Sequence, residues 1–415
     1  MARERRPRAL GVWFDGILAA ELTARQPWEI YCRYTPDAAE RWPGNAPVLS
    51  CSLPLSTRRQ PASVFCDGLL PEAQTRQGLA ERRNLPVTYT FDLLAAYGRD
   101  VAGALVISAE EPEPRRWSVE PYTADTLAEE VAGLPENPLA IHEDSELSLA
   151  GIQDKLLLVK MDDGGWGRPV HGHPTTHILK RDHPRFPGLI EAEADALRLA
   201  RAVGLTTIDP VVEQIAGGPC LIVDRFDRER AQDGSIRRIH QEDLCQALGR
   251  DPRTQAGRGK YQDAGGPSLR EAAELLGRYA ADSGAQLAKL LQVVAFTVVV
   301  GNADAHGKNL ALLHYAPEWV SLAPLYDTVP TVLWPDLRSR AAMSVNHMVN
   351  IEIISPDDLV AEARSWGYRA GIEVITDIIE QLGHLAASGA IIDPDGPTGR
   401  LVVARAKAML NSPPH

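Results

Sequence analysis

An apolar run at 290–300 ends abruptly in the polar segment Gly-Asn-Ala-Asp-Ala-His-Gly-Lys-Asn at 301–309. The run has the length and apolarity of a buried helix, predicted over 285–300. Asp304 and Asn309 stand five positions apart, with His306 and Lys308 between them. A short loop behind a buried helix can aim a carboxylate and an amide at one chemical group from opposite sides.

Phosphoryl transfer uses that arrangement. Protein-kinase catalytic loops place an Asp that accepts the hydroxyl proton five residues before an Asn that holds Mg²⁺. The reaction also needs a second metal carboxylate, and Asp327 supplies one after a predicted strand at 319–325. Taken alone, Asp-x₄-Asn also fits a polar helix-to-loop junction, so the order of the remaining parts decides.

Phosphates need backbone N–H donors from a small-residue turn. Ser148-Leu-Ala150-Gly151-Ile152-Gln153-Asp154-Lys155 offers one between two expected strands, although its single glycine also fits a plain hairpin. Lys180, closing a predicted strand at 176–180, is the cation for the α/β-phosphates; a solvated strand-end lysine is the bland alternative. Glu193 on the following helix is expected to orient that lysine, with Glu191 in reserve and a plain surface acid as the alternative. Asp224, Arg225 and Phe226 close an apolar strand just before the helical half and fit an adenine hinge. His306, Gly307 and Lys308 join the nucleotide-contact set.

Bulk properties set outer limits. The 415 residues can bury two or three cores. Forty-three basic against 55 acidic residues give a net charge of −12, which argues against unaided nucleic-acid binding over a broad surface. The four arginines at 3–8 read as a solvated tail. Five scattered cysteines without a Cys-x-x-Cys pair point to a reducing compartment and no zinc cage. His171, His173 and His177 lack an acidic or cysteine partner at ligand spacing and read as surface or core histidines. No run is expected to span a membrane and no signal core precedes the first strand, so a cytoplasmic location is expected.

In chain order, residues 1–107 form an α+β unit with strands at 10–14, 28–34, 47–55 and 103–107 and helices at 69–82 and 89–97. Asp15-Gly16 is a type I′ hairpin signal. Residues 108–117 are an acidic, Pro-containing linker, and a helix follows at 123–133. Residues 118–225 read as a smaller lobe: strand, turn and strand over 147–160, then the helix 190–203 and strands at 211–215 and 220–223. Residues 226–415 read as all-helical, with helices at 241–248, 268–281, 285–300, 356–363, 372–387 and 398–410 and a flexible loop at 250–267.

These residues resemble the HipA family of serine/threonine-kinase toxins. The resemblance rests on 148–155, His177-Ile-Leu-Lys180, Arg225-Phe-Asp-Arg228, Gln241-Glu-Asp-Leu-Cys-Gln246, 301–309 and Leu322-Ala-Pro-Leu-Tyr-Asp327. It extends to Ser52-Leu-Pro-Leu55, Gly68-Leu-Leu-Pro71, Phe91-Asp-Leu-Leu94 and Gly98-Arg-Asp100, and so covers nearly the whole chain. The resemblance implies a protein-kinase-like two-lobed fold and Mg²⁺-ATP-dependent phosphorylation of serine. Asp304 would be the base, and Asn309 and Asp327 the metal ligands. It further implies self-inactivation by phosphorylation at Ser148, a HipB helix-turn-helix antitoxin partner that carries DNA binding, and an aminoacyl-tRNA synthetase target such as glutamyl-tRNA synthetase. Residues 1–107 are the expected antitoxin contact. Ile152 and Asp154 depart from the family's usual Ala and Glu, and 108–145, 250–267 and 328–360 diverge enough to leave the target open. The competing functions are a small-molecule kinase of aminoglycoside or choline type and a pseudokinase corepressor.

Overall fold

The structure is a computed structural model that describes residues 7–140, 142, 145–149, 155–316, 319–369 and 371–411. The phosphate-turn residues Ala150, Gly151, Ile152, Gln153 and Asp154 lie outside the described residues. Contacts divide the chain into two compact units. One holds Met1–Arg181, Gln214–Glu242 and Leu313–Trp319; the other holds Asp182–Glu213, Asp243–Leu312 and Val320–His415.

The first unit begins with a five-stranded sheet in the order Gln60–Pro61, Glu29–Tyr34, Ile17–Gln26, Leu10–Phe14, Val106–Ser108. Leu10–Phe14 and Ile17–Gln26 are antiparallel partners joined through Asp15 and Gly16. Both turn residues have positive φ, 50° and 77°, as a type I′ turn demands. Thr90–Tyr97 packs against this sheet and buries Phe91, Leu93, Leu94 and Tyr97. The third strand expected at 47–55 does not form; only an isolated bridge joins Ser50 and Leu53. Side-chain bonds take over instead, because the Tyr34 hydroxyl donates to the Leu53 carbonyl and accepts from the Leu49 N–H. The helix expected over 69–82 begins only at Ala73, after Pro71, which has no N–H to continue a helical ladder, and a separate helix, Ser63–Gly68, precedes it.

The second sheet contains, in order, Gly218–Asp224, His177–Arg181, Lys155–Lys160, Trp166–Val170 and Ser118–Pro121. Ala124–Gly133 covers it, capped by Thr123 in a reciprocal bond with Thr126. The strand expected before Ala150 is absent: Leu147 forms only an isolated bridge to Asp100.

No core boundary falls at residue 107. Leu147, Leu149 and Leu157 belong to the same buried cluster as Leu10, Phe65 and Leu93. A buried charge network adds to this continuity. The Asp100 carboxylate accepts from Arg228 at 2.9 Å and from the Thr175 hydroxyl at 2.7 Å. Asp227 accepts from Arg225 at 2.7 Å and from the Gly103 N–H at 2.7 Å. Residues from both sides of the presumed linker therefore share one interior.

The second unit is built around Ser283–Val300, with Leu269–Tyr279, Pro356–Ser365, Ile372–Ser388 and Pro397–Leu410 packed against it. Among the described residues it is the helix long and apolar enough to cross a membrane, a length the sequence reading had not credited to any run. Half of it is buried inside the protein, as a core helix would be. Its last carbonyls are capped by Arg405, whose guanidinium donates to Val298 and Val299. The helix Leu189–Ala202, expected to belong with the smaller lobe, packs on Pro397–Leu410 in this unit.

The C-terminal half is helical in its core but not throughout. Arg340–Val345 and Met348–Asn350 form a hairpin, and Ala311–Ala316 and Trp319–Leu322 are extended. The helix expected at 241–248 divides as well. His240–Asp243 is a strand, and only Leu244–Ala247 is helical, because the Asp243 side chain caps it in a reciprocal bond with Gln246.

Candidate active site

The 301–309 segment leaves the core helix as a loop braced both by its own bonds and by bonds to neighbouring segments. Asn302 Oδ1 accepts from the Asp304 N–H at 3.0 Å, and the Asp304 carbonyl accepts from the His306 N–H at 2.8 Å. Asn309 Nδ2 donates to the Asp304 carbonyl at 3.1 Å. That bond uses the donor end of the amide and turns its oxygen the other way, the orientation a metal ligand requires. The Asp304 carboxylate is partly buried, and Tyr261 donates its hydroxyl to Oδ1 at 2.8 Å. Burial raises the Asp304 pKa above the usual carboxylate value, and the Asp327 charge raises it further. Tyr261, Lys260 and Arg338 pull in the opposite direction. The two carboxylates therefore lie close enough to feel each other. Asp327 holds a φ of 50°, left-handed for a non-glycine residue and a form of strain common at functional sites.

Lys308 and His306 depart from the nucleotide-contact role expected of them. Lys308 Nζ donates to Asp243 Oδ2 at 2.7 Å and both side chains are buried. The Lys308 carbonyl accepts from the Tyr326 hydroxyl at 2.7 Å, so Lys308 ties the loop to the segment just before Asp327. His306 is buried edge-on to Tyr261 with ring centroids 5.3 Å apart. Burial, helped by the Lys260 charge, holds its pKa down to about 3. Its imidazole is therefore held neutral. Gly307 is required by packing, since a Cβ there would stand 2.5 Å from Pro267 Cγ.

In the first unit, Lys155 and Lys180 are direct register partners on adjacent strands. Both are buried, at 6% and 8% exposure. Like charges directly opposite each other in a sheet repel, and an anion bound at this position relieves the repulsion. Asp224 and Phe226 are half-buried at the end of Gly218–Asp224. Arg225 is not a nucleotide contact. Its guanidinium bonds Asp227, Thr175 and the Val101 carbonyl, while its own N–H donates to Thr176 and its carbonyl accepts from Arg228. Ser148 is fully buried; its hydroxyl donates to the Leu69 carbonyl at 3.1 Å.

In the second unit, Glu193 is buried on Leu189–Ala202 and Glu191 is exposed, which favours Glu193 as the internal acid.

Among the described residues no three His, Cys, Asp or Glu side chains gather as a metal cage. The oxygen donors that could hold a cation are instead the Asp327 carboxylate and the Asn309 amide oxygen, with the Asp304 carboxylate beside them as the base. These hard oxygen donors suit Mg²⁺, which keeps several waters and takes few protein ligands. The mutual repulsion of the two carboxylates is what a divalent cation would relieve.

Sequence reasoning missed Tyr261, Lys260 and Arg338. They lie in 250–267 and 328–360, where no periodicity marks a role. The helix-capping pattern of Asp243 and Gln246 could have flagged Asp243 as an anchored residue.

Comparison with known proteins gives the family and the fold. Residues 10–108 match the family model "HipA N-terminal domain", and residues 147–388 match "HipA-like C-terminal domain". "Putative kinase Y4mE" of Sinorhizobium fredii is 40% identical over 373 residues, covering 87% of this chain and 86% of that protein. "Serine/threonine-protein kinase toxin HipA" of Shewanella oneidensis is 28% identical, covering 75% of this chain and 72% of that protein. The HipA chain solved with HipB and operator DNA from the same organism superposes with a TM-score of 0.78 at 24% identity, covering 97% of each chain. This chain belongs to the HipA family, with both of its domains and its kinase-like mixed α/β fold.

Proposed function

We propose that the chain is an ATP- and Mg²⁺-dependent serine/threonine protein kinase, the toxin of a toxin–antitoxin pair. One observation supports the reading: Asp304 and Asn309 share a loop held by the core helix, Tyr261 and the Asp243–Lys308 pair, and the Asp327 charge acts on the Asp304 carboxylate. Asp304 accepts the proton of the acceptor hydroxyl. Asn309 and Asp327 hold the metal, which when bound neutralises charge developing on the transferred phosphoryl group. Lys180, with Lys155 beside it, binds the nucleotide phosphates. Asp224 and Phe226 contact the adenine.

The electrostatics of the base weigh against the aminoglycoside- or choline-type alternative. Lys260 and Arg338 both act on the Asp304 carboxylate. Cationic acceptors call for an acidic surround, and here two cationic side chains act on the base beside the single acid Asp327. A pseudokinase has no need of Asp304, Asn309, Asp327 and Lys180 together.

Self-inactivation at Ser148 has a physical basis in its seat. The hydroxyl donates to a buried carbonyl. A phosphoserine carries about −1.5 to −2 charge and offers acceptor oxygens there, so it cannot re-enter the seat. Phosphorylation next to the proposed phosphate-binding segment would repel ATP and stop nucleotide binding.

The partner is a HipB-like helix-turn-helix protein that carries DNA binding, with residues 1–107 as its contact. The target is an aminoacyl-tRNA synthetase, glutamyl-tRNA synthetase being the leading candidate. The test is a phosphoproteomic comparison of cells making the parent chain or Asp304→Asn, with peptide mass spectrometry of each purified protein. Parent-specific phosphoserine on a synthetase and on Ser148 is expected. Label transferred to a metabolite and to no protein would instead support the small-molecule kinase.

A further inference from the structure

Tyr261 is the residue outside the kinase motifs that touches the reacting machinery. Its hydroxyl donates to Asp304 Oδ1 at 2.8 Å. The ring is held from several directions. The Arg338 guanidinium lies over its face, 4.3 Å from the centroid. His306 meets it edge-on, with an interplanar angle of 79°. Its backbone is fixed by the Tyr261 N–H donating to the Arg258 carbonyl at 2.9 Å and its own carbonyl accepting from Gly266 at 2.9 Å. The neighbouring Lys260 carbonyl accepts from the Gly307 N–H at 3.1 Å, which ties the tyrosine segment to the catalytic loop.

A carboxylate turns easily about its last torsion, whose well is broad. A base must nonetheless present one oxygen to the acceptor hydroxyl within hydrogen-bond reach. We infer that Tyr261 is a positioning residue: by holding Oδ1 of Asp304 it aims Oδ2 at the acceptor hydroxyl. This rests on the assignment of Asp304 as the base. Tyr261 touches neither nucleotide nor acceptor in this role, so it acts on the rate of transfer and not on ATP affinity. Phenylalanine at this position keeps the ring, the Arg338 contact and the His306 contact, and removes the single bond in question.

The experiment compares the parent, Tyr261→Phe and Asp304→Asn as full-length proteins. It measures label transferred from γ-labelled ATP to protein at saturating Mg²⁺-ATP, Mg²⁺-ATP affinity by calorimetry, and melting temperature. For Tyr261→Phe we expect a fall of about 10- to 100-fold in the transfer rate, the size of a lost bond to a charged group. Its ATP dissociation constant is expected within twofold of the parent's, with the melting temperature unchanged. A transfer rate within twofold of the parent, while Asp304→Asn is inactive, overturns the positioning role and leaves the base assignment standing. A rate that falls only in step with ATP affinity or melting temperature also overturns it, since a structural residue would do the same. Equal transfer by the parent and Asp304→Asn, or none by the parent, removes the base assignment and the inference with it.

Discussion

Lys308 Nζ sits 2.7 Å from Asp243 Oδ2, the carboxylate that caps the helix Leu244–Ala247. The lysine of the Asp-x₄-Asn loop is thus a strut within the second unit. Removing one partner of a buried pair leaves an uncompensated charge. Lys308→Met is expected to lower unfolding stability by about 3 kcal/mol, read from urea denaturation. A change under about 0.5 kcal/mol would show that the pair is not retained in solution.

Asp304→Asn and Asp327→Asn are expected to cut phosphoryl transfer by at least about 1,000-fold, since loss of a base or metal ligand costs several kcal/mol in the barrier. Asp304 is partly buried and its carboxylate is held at raised pKa, so the neutral amide leaves the fold intact. Label-transfer assays on variants with unchanged circular dichroism check both. Near-parent activity in either variant removes it from the mechanism.

Lys180 and Lys155 face each other across adjacent strands. Lys180→Ala is expected to weaken Mg²⁺-ATP binding by roughly 10-fold or more, the size of a lost charge-assisted contact. Thermal melting with and without nucleotide measures the effect. If ATP raises the melting temperature of parent and variant equally, the lysine is only a structural strand residue.

Asp100 and Asp227 connect pH to the integrity of the first unit. Burial alone would push both pKa values up. The guanidiniums of Arg228 and Arg225 beside them more than offset this and hold both below the usual carboxylate range. In the unfolded chain each titrates near ~4. Their contribution to stability is therefore full above about pH 4 and is lost as pH falls below it toward the folded values. The urea midpoint should drop between pH 6 and pH 3, and Asp227→Asn should flatten that drop. A parent midpoint that stays level over this range contradicts the network's role.

The sequence by itself determined the parts whose chemistry is local. The Asp15-Gly16 turn follows from dihedral preference. The helix ending before Gly301 follows from its apolar run, and the Asp304 to Asn309 offset follows from spacing. The order of lysine, helix acid, loop and second carboxylate was legible in the same way, and so was the family. Tertiary structure decided which charged side chains are available for chemistry. Lys308 and Arg225 look like ligand-binding cations in sequence. Each is committed to an aspartate inside the protein, at 2.7 Å to Asp243 and 2.7 Å to Asp227. Only Lys308 and its partner are far apart in the chain, but in both cases burial makes the pairing obligatory, and burial is not written in local pattern. The same holds for Tyr261, a residue in a loop without periodicity that folding brings to Oδ1 of the base. Long-range hydrogen bonds set the Lys308 and Tyr261 assignments, and burial beside Asp227 sets that of Arg225. A strand that never forms at 47–55, and a linker whose two sides share one core, are further outcomes that side-chain partners distant in sequence decide.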